Sequence, residues 1–348
     1  MQAIGGIRLV EQEVLSVNAL ILAPFESHSL DLLSSRIGVI YRSWTESRKL
    51  IEPEELIDYI QNRNAGIVVI EADFIFEEVI ESADRLRLIG VCRGSVNNVD
   101  IEAATRHGIP VINTPGRNSI AVAELTIGLA LSLARHIPEA HSMVKSSGWI
   151  DPVGPYISLR GTELCGKTIG IIGFGAIGRE VASRMLALEM NVLVYDPYIN
   201  GSEIEDRGAK PVSLDELLKE ADFISVHCSV TDETRGMLNA QRLAFLKQGV
   251  YFINTAGWEI AEESALLEAL KDGRIAGAAF DVFDTHPLSN RSPLLKFPNV
   301  ILTPHIGGAT DNTIARYSQM ITRDILRFLD GLKPVNLINP EVWRTDER

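Results

Sequence analysis

Residues 166–196 read GKTIGIIGFGAIGREVASRMLALEMNVLVYD. A β-branched run leads into three glycines spaced GxGxxG at Gly173, Gly175 and Gly178; a helical pattern follows, then a second β-branched run that ends on Asp196. The glycine spacing alone is weak, because glycines are common turn formers. Set between a strand and a helix, and followed by an acid eighteen residues beyond the last glycine, it restricts the local fold to a βαβ dinucleotide-binding unit. Gly173 permits the tight turn, Gly175 lets backbone approach a pyrophosphate, and Gly178 lets helix and strand pack closely. A carboxylate at the end of the second strand accepts hydrogen bonds from ribose hydroxyls and repels a 2′-phosphate, so NAD is favoured over NADP.

The surrounding chain extends that unit. Short apolar runs alternate with helical patterns, which reads as parallel α/β structure. A first series comprises 18–23, 37–41, 67–71, 86–91 and 110–113, with a helix-like stretch such as 52–61 between runs. A second comprises 168–173, 191–195, 223–227, 251–254, 276–280 and 300–303, six strands as in a complete dinucleotide-binding sheet. Between the two series, 119–145 reads as one long helix with small apolar faces, suited to packing between domains or subunits, and 147–159 as a connecting stretch containing Gly and Pro. With 348 residues the chain has room for about two domains.

Composition narrows the function classes. A formal charge of −13 without a basic cluster argues against nucleic-acid backbone binding. No run is long and uncharged enough to span a bilayer, and the opening MQAIGGIRLVEQEV lacks the basic start and apolar run of an export signal, so no membrane role and a cytoplasmic setting are expected. Cys92, Cys165 and Cys228 lie far apart with no CxxC pair, which reads as three buried, reduced thiols. His107, His136 and His141 have no partners at metal-ligand spacing, and no metal is expected.

Five further segments occur in order: VNNVDIEAATRHGIPVINTPGRNSIAVAELTIGLAL, ELCGKTIGIIGFGAIGRE, FINTA, AGAAFDVF and LTPHIGGAT. With them the chain, from about Leu20 to Pro334, resembles the D-isomer-specific 2-hydroxyacid dehydrogenases, most closely the phosphoglycerate dehydrogenase-like branch. The resemblance implies an α/β architecture of two open parallel-sheet domains. A Rossmann NAD domain (119–311) is inserted into a discontinuous, flavodoxin-like substrate domain (17–118 and 312–348). It further implies that Ala176 and Ile177 meet the pyrophosphate through backbone amides, Asp196 the ribose, Cys228 the adenine side, and Thr255 with Ala256 the nicotinamide ribose. Gly257 and Gly308 fall among the cofactor-binding positions, and Asp281 holds the nicotinamide carboxamide. His305, in TPHIGG, takes the place of the acid/base histidine, close enough to the nicotinamide to count among the cofactor contacts. The helix from Ser119 resembles the family's dimer-forming helix, which implies a homodimer.

Three positions depart from the family pattern. FINTAGWEI puts Gly257 where the family carries a substrate-binding arginine, a donor whose loss costs on the order of a hundredfold in rate. DVFDTHPL puts His286 where the family has a glutamate beside the catalytic histidine; a neutral imidazole orients His305 without stabilising its cation as a carboxylate does. CRGSVNN replaces a glycine-rich loop that binds the substrate carboxylate, placing Arg93 and Ser95 around Gly94 and Asn97 in place of an acid. Arg93 reads equally as the replacement cation or as a surface arginine on a loop. Trp149 and Trp258 read as cleft walls or as ordinary packing. Three functions stay open: an NAD-dependent oxidoreductase acting on a small anionic 2-hydroxy or 2-keto acid, or a related carbonyl, through a non-standard site; hydride transfer from a small anion other than a hydroxyacid; and a catalytically weak NAD(H)-binding sensor or scaffold.

Overall fold

A computed structural model of the chain describes residues 17–343. The opening segment read for export lies outside them, as do positions 344–348 of the range expected for the substrate domain. The chain divides into two compact units, one formed by residues up to Arg117 together with those from Thr310 onward, the other by Asn118–Ala309.

The first unit holds β1 (Asn18–Ile21), β2 (Gly38–Tyr41), β3 (Ile67–Ile70), β4 (Leu88–Val91) and β5 (Val111–Ile112), in the order β2-β1-β3-β4-β5. Every pairing is parallel. A parallel sheet covered on both faces needs apolar residues on both, and β3 is buried at all four positions. Val68 and Ile70 face one core cluster; Ile67 and Val69 face the other, which Tyr317, Ile321, Ile325 and Phe328 of the helix Asp311–Leu329 complete. The C-terminal helix thereby closes a face that the N-terminal strands leave open.

The second unit is a seven-stranded parallel sheet of order β12-β11-β10-β9-β6-β7-β8. Its strands are β6 (Thr168–Ile172), β7 (Asn191–Tyr195), β8 (Lys210–Pro211), β9 (Phe223–Val226), β10 (Val250–Asn254), β11 (Ile275–Phe280) and β12 (Val300–Leu302). Six strands were expected; the seventh, β8, is a two-residue edge strand, too short for a hydrophobic period to register. The chain runs outward from β6 through β7 to β8 and then starts again at β9 on the other side of β6. The β6/β9 boundary is therefore a topological switch point, where ligands bind beyond the carboxyl ends of the strands in such sheets.

The expected single helix over 119–145 is instead two, Ser119–Arg135 and Ile137–Lys145, bent by 67°. His136 between them adopts φ 52°, a left-handed conformation that ends the first helix, and Pro138 sits in the first turn of the second. The first helix is a core element of its own unit, with Ala123, Leu129, Ala130 and Leu133 packed against β-strand residues such as Ile169 and Ile253. Its small residues serve close packing inside the unit. The exposed apolar side chains come later, at Ile137, Val144, Trp149, Ile150, Val153, Tyr156 and Ile157. No single helix among the described residues is long and apolar enough to cross a membrane.

Candidate cofactor and catalytic site

The glycine loop follows β6 at the switch point. Gly173 has φ 95°, and a Cβ there would lie 2.5 Å from the Cys228 backbone nitrogen, so the loop passes directly against the chain leaving β9. A Cβ on Gly178 would meet the Gly173 carbonyl oxygen at 2.1 Å, which ties the helix Ala176–Ala187 to the turn. Gly175, by contrast, faces open space and is exposed. Directly after it the helix begins with Ala176 and Ile177, and no side chain caps its N-terminus. First-turn N–H groups left without a side-chain acceptor suit an anion.

A cavity of about 360 Å³ opens beside this loop, lined by Gly173 and Gly175, by Asp196 after β7, and by His227 and Cys228 after β9. The Asp196 carboxylate accepts from Phe174 N (2.7 Å) and Tyr198 N (2.9 Å), which fixes it between the glycine loop and its own strand end. His227 shares a 2.7 Å hydrogen bond between Nε2 and Ser225 Oγ. Its Nδ1 is buried without a partner, and burial holds the ring's pKa down at about 3, so it stays neutral. Burial pushes the Cys228 thiol up to about 11, leaving it protonated and apolar in character. An open glycine cradle, an uncapped helix start, a carboxylate at the cavity wall and an orphaned imidazole nitrogen together fit a dinucleotide.

The turn after β10 is stitched by Asn254, which no sequence motif singles out. Asn254 Oδ1 accepts from Ala256 N (3.0 Å) and Gly257 N (3.2 Å), and its Nδ2 donates to Gly257 O (2.8 Å). The asparagine of FINTA was the available signal, since such side chains cap tight turns. Thr255, buried, lies 3.3 Å from the Thr126 hydroxyl. Gly257 has extended backbone at φ −168°, yet a Cβ there would sit 2.3 Å from Val230 Cγ2. The position lacks an arginine in sequence and lacks room for a side chain in space. Trp258 is buried against Phe280, with ring centroids 5.4 Å apart, and so belongs to the core, whereas Trp149 is exposed.

Asp281, directly after β11, is almost fully buried. One oxygen accepts from Thr303 Oγ1 (2.6 Å) and Ile306 N (2.8 Å), the other from Gly307 N (2.7 Å). A carboxylate offers about four acceptor positions, and these three bonds fill three of them. The three bonds hold the TPHIGG loop, in which His305 stands at φ 55°. Gly308, next along, packs beside Asn118. His305 Nδ1 lies 3.0 Å from His286 Nε2, and both rings are exposed. The two sequence-selected histidines thus form one hydrogen-bonded pair, in which one ring nitrogen donates and the other accepts.

Arg93, Gly94 and Ser95 form an exposed loop after β4 of the first unit. It is anchored by Asn113 Nδ2 to Gly94 O (2.7 Å) and Thr114 N to Arg93 O (3.0 Å). Arg117 of the same unit is paired with Glu71 at 2.9 Å. Of the three thiols, Cys92 is buried as expected, but Cys165 is exposed, its Sγ donating to Glu189.

Comparison with known proteins gives this arrangement a family. Residues 127–307 match the model for the D-isomer specific 2-hydroxyacid dehydrogenase, NAD binding domain. The chain is 42% identical over 294 residues to a D-3-phosphoglycerate dehydrogenase of Archaeoglobus fulgidus, covering 84% of this chain but only 55% of that one. It is 38% identical over 311 residues to a glyoxylate reductase of Thermofilum pendens, covering 87% and 88% of the two chains. Among solved structures, a D-lactate dehydrogenase from Aquifex aeolicus complexed with NAD and lactic acid superposes with a TM-score of 0.74 at 27% identity, over 92% of this chain and 99% of that one. The chain spans about half the length of the phosphoglycerate dehydrogenase it matches and nearly the whole of the shorter relatives. With its glycine cradle at the switch point and its histidine-bearing loop pinned by Asp281, this chain belongs to the NAD-dependent D-isomer-specific 2-hydroxyacid dehydrogenases.

Proposed function

We propose that the protein interconverts a small anionic 2-keto acid and its 2-hydroxy acid with NAD(H), through a proton-transfer site built on two histidines. The observation that carries this reading is the 3.0 Å bond between His305 Nδ1 and His286 Nε2. The cofactor supplies the hydride for reduction and takes it up in oxidation. In the reducing direction His305 gives a proton from Nε2 to the carbonyl oxygen, while its Nδ1–H donates to His286 Nε2 and fixes the ring. Asp281 holds the loop that carries His305 and keeps one acceptor position for the carboxamide. Ala176 and Ile177 take the pyrophosphate, Thr255 and Ala256 the nicotinamide ribose. The loop of Arg93, Gly94 and Ser95 offers one cation and further donors to a substrate carboxylate. The enzyme works as a homodimer in the cytoplasm.

A second reading, an NAD(H)-binding protein with little turnover, draws on Gly257 and His286 standing where the family carries an arginine and a glutamate, and on the 2.3 Å that would separate a Cβ at 257 from Val230 Cγ2. NADH oxidation measured against a panel of 2-keto acids separates the two. Turnover is expected, and Arg93→Ala should raise KM for the anionic substrate, with a lower kcat as well where the guanidinium polarises the carbonyl. Tight NADH binding with no turnover on any member of the panel would favour the sensor.

A further inference from the structure

The cofactor cavity carries a second acid besides Asp196. Glu233 lines the same space, and the Tyr198 hydroxyl donates to its Oε2. The backbone N–H of that tyrosine donates to Asp196 Oδ1 at 2.9 Å. One residue therefore links the two carboxylates across the cavity, by its main chain at one side and its phenol at the other. The bond to Glu233 pushes the tyrosine hydroxyl's pKa up, so it remains a neutral donor.

No lysine or arginine is among the described residues lining this cavity, and His227 is held neutral by burial. The nearby cations are committed elsewhere. Arg179, on the helix after the glycine loop, pairs with Glu203 at 2.6 Å and donates to Phe174 O at 2.9 Å. Arg235 lies 3.5 Å from Glu259. The lining thus presents two negative charges, that of Asp196 and that of the exposed Glu233, with no lysine or arginine among the lining residues. A 2′-phosphate, with a charge of about −1.5 to −2 at neutral pH, meets repulsion from both.

Building on the NAD assignment, we propose that Glu233, held in place by Tyr198, is a second determinant of selection against NADP(H), acting alongside Asp196. Selectivity is then shared: neutralising Asp196 alone leaves part of the preference in place. The two contributions differ in kind. Asp196 also accepts hydrogen bonds from the ribose hydroxyls and is needed for NAD itself, whereas Glu233 acts by charge.

The test is fluorescence titration of NADH and NADPH on the full chain for wild type, Glu233→Gln, Tyr198→Phe, Asp196→Asn and the Asp196→Asn/Glu233→Gln double variant. Glutamine keeps the shape and the bond from Tyr198 while removing the charge. The ratio of NADPH to NADH dissociation constants should fall about three- to tenfold in Glu233→Gln at about 0.02 M salt, and the gain should shrink at about 0.5 M as the charge is screened. Tyr198→Phe, which leaves the charge but releases it, should give part of the same fall. Asp196→Asn should keep a preference for NADH that the double variant reduces further. An unchanged ratio in Glu233→Gln would overturn the proposal and leave the NAD assignment intact. Equal weakening of both cofactors would likewise overturn it, since that is the mark of a purely structural residue. A wild type that binds neither cofactor would overturn the assignment and this inference together.

Discussion

At position 257 the limit is space and not backbone, because extended φ suits any residue while Val230 Cγ2 occupies the place a Cβ needs. Gly257→Ala should therefore destabilise the protein by about 1–3 kcal/mol, the usual penalty for overpacking a filled site. Adding Val230→Ala should recover most of that loss, and denaturant midpoints at constant m-value measure both. An arginine restored at 257 without the valine change should fail to rescue activity, for the same reason. At position 286 the question is charge. On the proposed mechanism reduction needs protonated His305, so the rate should fall as pH rises. A carboxylate in place of His286 would stabilise the imidazolium and hold the proton to higher pH. His286→Glu should move the alkaline fall-off of kcat/KM upward by roughly one unit, the shift an opposite charge within about 4–6 Å produces. Superimposable pH profiles for the two proteins would remove His286 from the proton-transfer step.

At the scale of elements, much was legible because the signals were local. The strand–glycine–helix unit and the strands at 67–71 and 300–303 were readable from β-branched runs, and the structure ends those two strands at Ile70 and Leu302. The apolar pattern runs unbroken through the bend at His136 and so does not mark it, although Pro138 in a first helical turn is a start signal. The edge strand β8 holds two residues, one of them Pro211, and nothing that short carries a period. The site was legible as residue types, less so as contacts. Asp281 reaches donors on Thr303, Ile306 and Gly307, more than twenty residues away. The block at Gly257 comes from Val230, on a different loop, and the burial of Trp258 depends on Phe280, at the end of a later strand. Spacing along the chain specifies none of these, because each forms only when the sheet brings its strand ends together.

For the whole molecule, the apolar surface is unevenly placed. Ile150 is 88% exposed, Tyr156 76%, Ile157 61% and Trp149 60%, all within nine residues of one another, on a chain whose formal charge is −13. Scattered apolar residues on a surface are ordinary, but a run of large ones is a candidate contact surface. A second copy is the simplest occupant, since a two-fold interface uses the same patch on both partners and closes after one contact. The helix Ser119–Arg135 is spent on its own core, so the segment from Ile137 to Ile157 is where the contact should lie. Light scattering at micromolar concentration should give twice the chain mass for the wild type. Ile150→Lys with Tyr156→Lys should shift it toward the monomer, because two cations on each copy, brought together by the two-fold axis, would have to be desolvated against like charge. NADH affinity measured on the same samples separates loss of the interface from loss of the fold. A wild type that is monomeric at that concentration would refute the dimer.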